Sequence, residues 1–332
     1  MPNFDGGHYF LTVLAPVRND DIVDAAGEHI SSEQSLRMTL ATLPTALQSG
    51  PSIETGINSP FSRNTKTHFA RFSVINNPAY NGRTPSDPIL NAIDGTNPII
   101  PQPVDVIGSP FLLMALDFDS ADGSKAERDR YLSELWEQMG DELRAVFEHC
   151  YGFKMVTDAA GFCRYIDSCQ LETTMSFNDY WITPPPLPVF PAKFWGFLVG
   201  IPLVVGLVSF LMWLCEAFGG NVGGWLPSGW SWGGLTLIGL GLTVLMVVLA
   251  YRSVMKAGAK PFPAAPNSDL KSVLKAIYLQ QRFVHFVIDN QGKPADALHA
   301  SFGAFLAANK PADLDSPTQT PGVLASFPGD AK

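Results

Sequence analysis

Local strings that announce a catalytic or metal centre are missing from this chain. No CxxC pair, zinc-finger spacing, HExxH or GxxxxGK[ST] string occurs in its 332 residues, so no metal module and no P-loop is expected. His285 and His299 sit on separate expected helices, with nothing in the sequence to bring them together. No Ser-His-Asp hydrolase arrangement is expected either. The four cysteines, Cys150, Cys163, Cys169 and Cys215, are too far apart for a metal or redox pair, and six residues of helix set Cys163 and Cys169 on different faces. Reduced, structural thiols are expected. Basic residues are scarce in the first part: the net charge is −11 up to residue 193 and +2 beyond it, which together make −9. An acidic surface repels phosphates, so nucleic acid is excluded as a partner. The opening MPNFDGGHYF has no basic start, apolar core or small-residue cleavage site, and a cleaved secretory signal is not expected.

Charge is absent altogether from Phe194 to Cys215, FWGFLVGIPLVVGLVSFLMWLC, and again from Gly233 to Tyr251. About 20 apolar residues of helix cross a hydrocarbon core, so both runs read as transmembrane helices 194–215 and 233–251. The loop between them, Glu216 to Trp232, has no Lys or Arg, whereas Lys193, Arg252, Lys256 and Lys260 flank the outer ends. The positive-inside bias then places both long ends in the cytoplasm and the 216–232 loop outside. Trp195, Trp213, Trp225, Trp230, Trp232 and Tyr251 fall near the interfaces, where amphipathic rings settle. Gly200, Gly206, Gly239 and Gly241 offer close helix contact. Neither span carries a charge, so the hairpin reads as an anchor and not as an ion path.

The domain ahead of the hairpin, residues 1–185, alternates strand and helix signals. HYFLTVLAPV from His8 reads as a buried strand. A helix capped by Ser31 and Gln34 follows, with Leu36, Leu40, Leu43 and Leu47 on one face, a stop at Gly50 and Pro51, and Pro44 as a kink or early end. HFARFSVI, His68 to Ile75, is a second strand; FLLMALDFDS from Phe111 is a third. Ser124 and Glu127 cap a long helix whose buried stripe is Leu132, Leu135, Trp136, Met139, Leu143 and Val146. A short helix around Gly161 to Ser168 leads to a fourth strand at Leu171 to Phe177. After the hairpin (186–252), the 253–332 segment holds two amphipathic helices, one starting at Asn267 or Ser268 and one at Pro294, and an irregular tail. These helices are expected to pack on the sheet domain, a second subunit or the membrane. The net +5 between Arg252 and Lys293 suits either anionic lipid or an ordinary solvated helix face.

The order β-α-β-β-α-β makes the fold class α+β: a ferredoxin-like sandwich, followed by the transmembrane hairpin and C-terminal amphipathic helices. On that order, and on strands such as HFARFSVI and FLLMALDFD, residues 8–181 resemble the dimeric α/β-barrel superfamily, with its monooxygenase-like, chlorite-dismutase-like and dye-decolorising-peroxidase-like members. The string NAIDGTNP, Asn91 to Pro98, is similar to the GxxDGTxNP-type signature of the dye-decolorising peroxidases, with Asn91 in place of the first glycine. The resemblance implies that Asp94 assists peroxide cleavage beside haem. As a bare string, Asp-Gly-Thr-Asn-Pro also makes a turn.

His68, Arg71 and His149 are the other candidate site residues: a histidine beside a barrel cavity can ligate haem or act as a base, and His149 is the candidate haem ligand. Their plainer readings are hydrogen-bonded structural histidines and an Arg71 pair with Asp117 or Asp119. Two functions are therefore expected. The first is a membrane-anchored accessory or interaction protein, self-associating or joined to a membrane-protein partner. The alternative is a haem-dependent or cofactor-free oxidoreductase acting on an apolar, membrane-soluble compound.

Overall fold

The computed structural model describes residues 3–23, 27–76, 107–173, 181–183 and 190–323, with positions 93 and 95. The chain forms two compact units, Trp181–Pro261 and a sheet unit made of Pro2–Tyr180 with Phe262–Lys332. The C-terminal helices and tail thus belong with the sheet.

In chain order the sheet unit contains β1 (Phe4–Asp5), β2 (His8–Pro16), β3 (Asp21–Val23), β4 (His29–Ser31), α1 (Ser32–Thr42), α2 (Gly50–Thr55), β5 (Thr67–Ile75), β6 (Phe111–Asp119), α3 (Lys125–Phe147), α4 (Ala159–Cys169) and β7 (Gln170–Leu171). Strand pairing is antiparallel throughout, in the order β1-β2-β6-β5, with β7 also on β2. Residues 174–177 of the expected fourth strand lie outside the described residues; β7 itself is two residues long. The period-two alternation of a strand decides which side chains enter the core. Tyr9, Leu11, Val13 and Ala15 of β2 and Leu112, Met114, Leu116 and Phe118 of β6 are buried against Leu132, Leu135, Met139, Leu143 and Val146 of α3 and Phe162 and Ile166 of α4. Each large side chain so removed from water contributes about 1.5–3 kcal/mol. Phe118 lies in the middle, stacked on Tyr131 at 3.7 Å and on Tyr9 at 5.1 Å.

Caps set the helix limits. Ser31 receives the Gln34 N–H and starts α1, but α1 ends at Thr42, ahead of Pro44. Gly50 and Pro51 begin a helix and do not stop one: Ser49 caps α2, and Pro51 stands in its first turn, where a missing N–H costs nothing. Ser124 caps α3 through Glu127 N–H, and all six expected stripe residues are buried.

The second unit holds α5 (Ala192–Ala217) and α6 (Trp232–Gly258), each long and apolar enough to cross a membrane. They pack on one another through small residues. Only Gly206 and Ser209 of α5 and Thr236 and Gly239 of α6 are buried, while Phe197, Ile201, Leu207, Leu211, Leu237, Val244 and Leu245 point outward. A Cβ placed on Gly239 would lie 2.6 Å from Gly206 Cα, so the backbones touch where both residues lack side chains. Thr236 and Thr243 hydroxyls donate to carbonyls one turn back, so neither of these two hydroxyl hydrogens is left unused in apolar surroundings.

The sheet unit is completed by α7 (Leu270–Asp289) and α8 (Ala295–Asn309). Asp269 caps α7, and Leu270 and Leu274 anchor it by burial. Lys275 is buried as well, its ammonium donating to the carbonyls of Asn309 at 2.8 Å and Pro317 at 2.6 Å, so the tail is tied to α7.

Candidate functional site

Strand register gathers three acidic and basic side chains at one end of the sheet. In the β2–β6 ladder His8 faces Asp119 and Phe10 faces Asp117, so His8, Asp117 and Asp119 share the face opposite the core helices. On β5 the register slips between Thr67 and Phe69: the two straddle His68, while their partners Phe118 and Asp117 are neighbours on β6. His68 is the extra residue of a β-bulge, a device that re-aims a side chain out of the regular pleat. The bulge brings its ring edge-on to that of His8, centroids 4.6 Å apart, and its Nε2 to 2.8 Å from Asp119 Oδ1.

The surroundings hold these groups in place. The other oxygen of Asp119, Oδ2, accepts the backbone N–H of Leu270 at 2.9 Å. That N–H belongs to the first residue of α7, one of the donors a helix cannot satisfy internally, and the helix dipole there favours a carboxylate. Asp117 Oδ1 lies 3.4 Å from His8 Nδ1. The side chains of His8 and His68 are 0 % and 7 % exposed, and those of Asp117 and Asp119 13 % and 21 %. A largely buried carboxylate is tolerable where it finds polar partners, and Asp119 finds two, His68 and the Leu270 N–H.

His68 and Leu270 also line a cleft of about 590 Å³. Its walls come from the end of α1 and the loop after it, from Phe61, Phe69 and Phe72, from Val273, Leu274 and Ile277 of α7, and from Gln319 to Val323 of the tail. The tail is fastened there by a bridge between Leu47 and Val323 and by Asn58 Nδ2, which donates to Pro321 O at 2.9 Å. Apolar side chains share the lining with polar ones, among them Gln48, Thr67, His68 and Gln281.

Of the described residues singled out in the sequence as site candidates, His68 alone enters this centre. Arg71 faces Ala115 on the exposed side of β5 and makes no ion pair among the described residues. His149 lies past the far end of β2, where Val17 bridges Cys150, nine strand residues or roughly 30 Å from His8. Its Nε2 is 3.5 Å from Thr39 Oγ1, and burial pushes its pKa down. Asp94 lies outside the described residues. His149 does not line the cleft that His68 lines, so the two candidate histidines do not share a pocket there. The thiols are free, with burial pushing Cys150 up to about 12. One string with GxSxG spacing does occur, Gly229 to Gly233, but Ser231 is the N-cap of α6 and accepts the Gly234 N–H. No local motif marks His8 or Asp119; 110 residues separate them, and only strand pairing joins them. No family model matches the chain, and neither does any curated protein or solved structure.

Proposed function

We propose that this chain is a membrane-anchored accessory or interaction protein: a ferredoxin-like domain held at the cytoplasmic face of a bilayer by a transmembrane hairpin. The observation that carries the reading is the arrangement of α5 and α6, with small residues in the contact and large apolar side chains outside. In water that arrangement exposes most of the apolar surface; in lipid it is the stable one. Lys193 near the start of α5 and Arg252 and Lys256 in the last part of α6 support cytoplasmic ends, and the 216–232 loop is free of Lys and Arg. The ferredoxin-like assignment rests on the spatial order β7-β2-β6-β5, with α1 after the first strand and α3 after the third. Partner association is supported by the exposed Phe69, Arg71 and Ser73 on one sheet face.

The test is extraction and labelling. The protein should stay with membranes through alkaline carbonate and leave them in detergent. In a Cys169→Ser, Cys215→Ser background, an impermeant maleimide should reach Gly223→Cys from outside and Ser124→Cys only after permeabilisation. Release by carbonate sinks the anchor, and the reverse labelling pattern sinks the orientation.

A second reading, oxidation of an apolar membrane-soluble compound, is favoured by the cleft beside His68. Purification in mild detergent separates the two. A colourless protein with a stoichiometric protein partner supports the accessory role, and turnover that disappears in His68→Gln supports the enzyme.

A further inference from the structure

We propose that His8, His68 and Asp119 bind a divalent first-row transition-metal ion of the zinc class. Each can offer one ligand atom, and these atoms all lie within 4.8 Å of one another. Two imidazoles and one carboxylate form a donor set suited to such ions and ill suited to calcium or magnesium, which take oxygen.

The geometry needs only small adjustment. Zinc bonds of about 2.0–2.2 Å set neighbouring donors of a tetrahedral ion roughly 3.3 Å apart. His68 Nε2 and Asp119 Oδ1, now at 2.8 Å, therefore part by about half an ångström. The widest pair closes by at most about 1.5 Å from the 4.8 Å limit. All three side chains are short, and two stand on directly paired strands, so the ion meets a frame that is largely formed.

Independent support comes from the groups behind the ligands. Metal-bound histidines and carboxylates are oriented by a second hydrogen-bonding partner. Asp119 has one in the Leu270 N–H, which holds Oδ2 and turns Oδ1 toward the histidines. Asp117 Oδ1, 3.4 Å from His8 Nδ1, adds a second carboxylate beside the ligands. Three protein donors leave one position of a tetrahedral ion for water or a ligand. Because His68 lines the cleft, that position adjoins a space where a donor atom of a small molecule can arrive.

The competing account is a purely structural His68–Asp119–Leu270 link that fastens α7 to the sheet. Full-length protein in mild detergent, stripped with chelator and titrated calorimetrically with Zn²⁺, decides between them. The expected result is one ion per chain at micromolar affinity or tighter. His68→Gln and Asp119→Asn should each weaken binding by at least about 100-fold, since each removes a ligand outright. Leu270→Pro deletes the N–H given to Asp119, at a helix position that accepts proline, and should weaken it about 10-fold relative to Leu270→Ala, which loses the same buried side chain and keeps the N–H. His149→Gln should leave it unchanged. Should a variant fail to fold by circular dichroism, the Co²⁺ form of the unaltered protein still decides: two paramagnetically shifted imidazole N–H resonances are expected. Absence of one-to-one binding, affinity indifferent to both ligand variants, or a Co²⁺ form without imidazole resonances would overturn the site.

Discussion

At the residue scale, Glu127 and His149 make the sheet unit sensitive to acid for opposite chemical reasons. Burial pushes Glu127 up, but the Ser120 hydroxyl and the backbone N–H groups of Ala121 and Asp122 donate to its carboxylate and hold it below the ordinary 4.5. A depressed carboxylate contributes stability above its unfolded value, and the contribution is lost as pH falls through the folded one. Glu127→Gln should therefore cost about 1–2 kcal/mol at neutral pH and less in acid, read by denaturant unfolding. His149 is held neutral by burial, below its ordinary 6.5. Its contribution is complete above that value and is lost as pH falls toward the folded pKa. The melting temperature should thus begin to drop below about pH 6.5, and His149→Gln should flatten that part of the curve.

Among the elements, the α5–α6 pair depends on one point of contact. Gly239 cannot take a side chain without meeting Gly206 backbone atoms at 2.6 and 2.7 Å, whereas a Cβ on Gly241 meets nothing within 4 Å. Gly239→Leu should separate the helices and lower their resistance to SDS unfolding by about 1–3 kcal/mol. Gly241→Ala should leave that resistance unchanged or raise it slightly, because alanine favours helix. Equal losses in both variants would show that the contact is not the one described. The β5 bulge is the other decisive element. Without it the alternation of β5 would send His68 to one face and its neighbours to the other, away from His8 and Asp119.

For the whole molecule, α5 and α6 are an insertion in a discontinuous sheet unit. The chain leaves near Thr173, whose carbonyl accepts Asn3 N–H, and returns at Phe262, whose carbonyl accepts Gly6 N–H. Both points flank β1, three residues or roughly 10 Å apart. Replacing residues 181–261 by a short Gly/Ser linker should yield a soluble protein with the helix and strand content of the sheet unit, checked by circular dichroism and gel filtration. Residues 1–180 alone should unfold at lower temperature or aggregate, because they lack the α7 face and the tail that close the cleft. Equal stability of the two fragments would show that the C-terminal segment is dispensable to the fold.

Much of this was legible in local patterns. Period-two runs marked β2, β5 and β6; capping serines marked α1 and α3; and two uncharged runs, which came out a few residues longer at their ends, marked α5 and α6. Such signals are written in neighbouring residues, because helix and strand periodicity and span length are short-range properties. What required tertiary structure was the meeting of His8, His68 and Asp119, since register, a one-residue bulge and the docking of α7 join positions far apart in the chain. The sequence alone determined an α+β chain with two membrane-length helices; only folding decided which of its six histidines face one another, because strand pairing is a long-range choice.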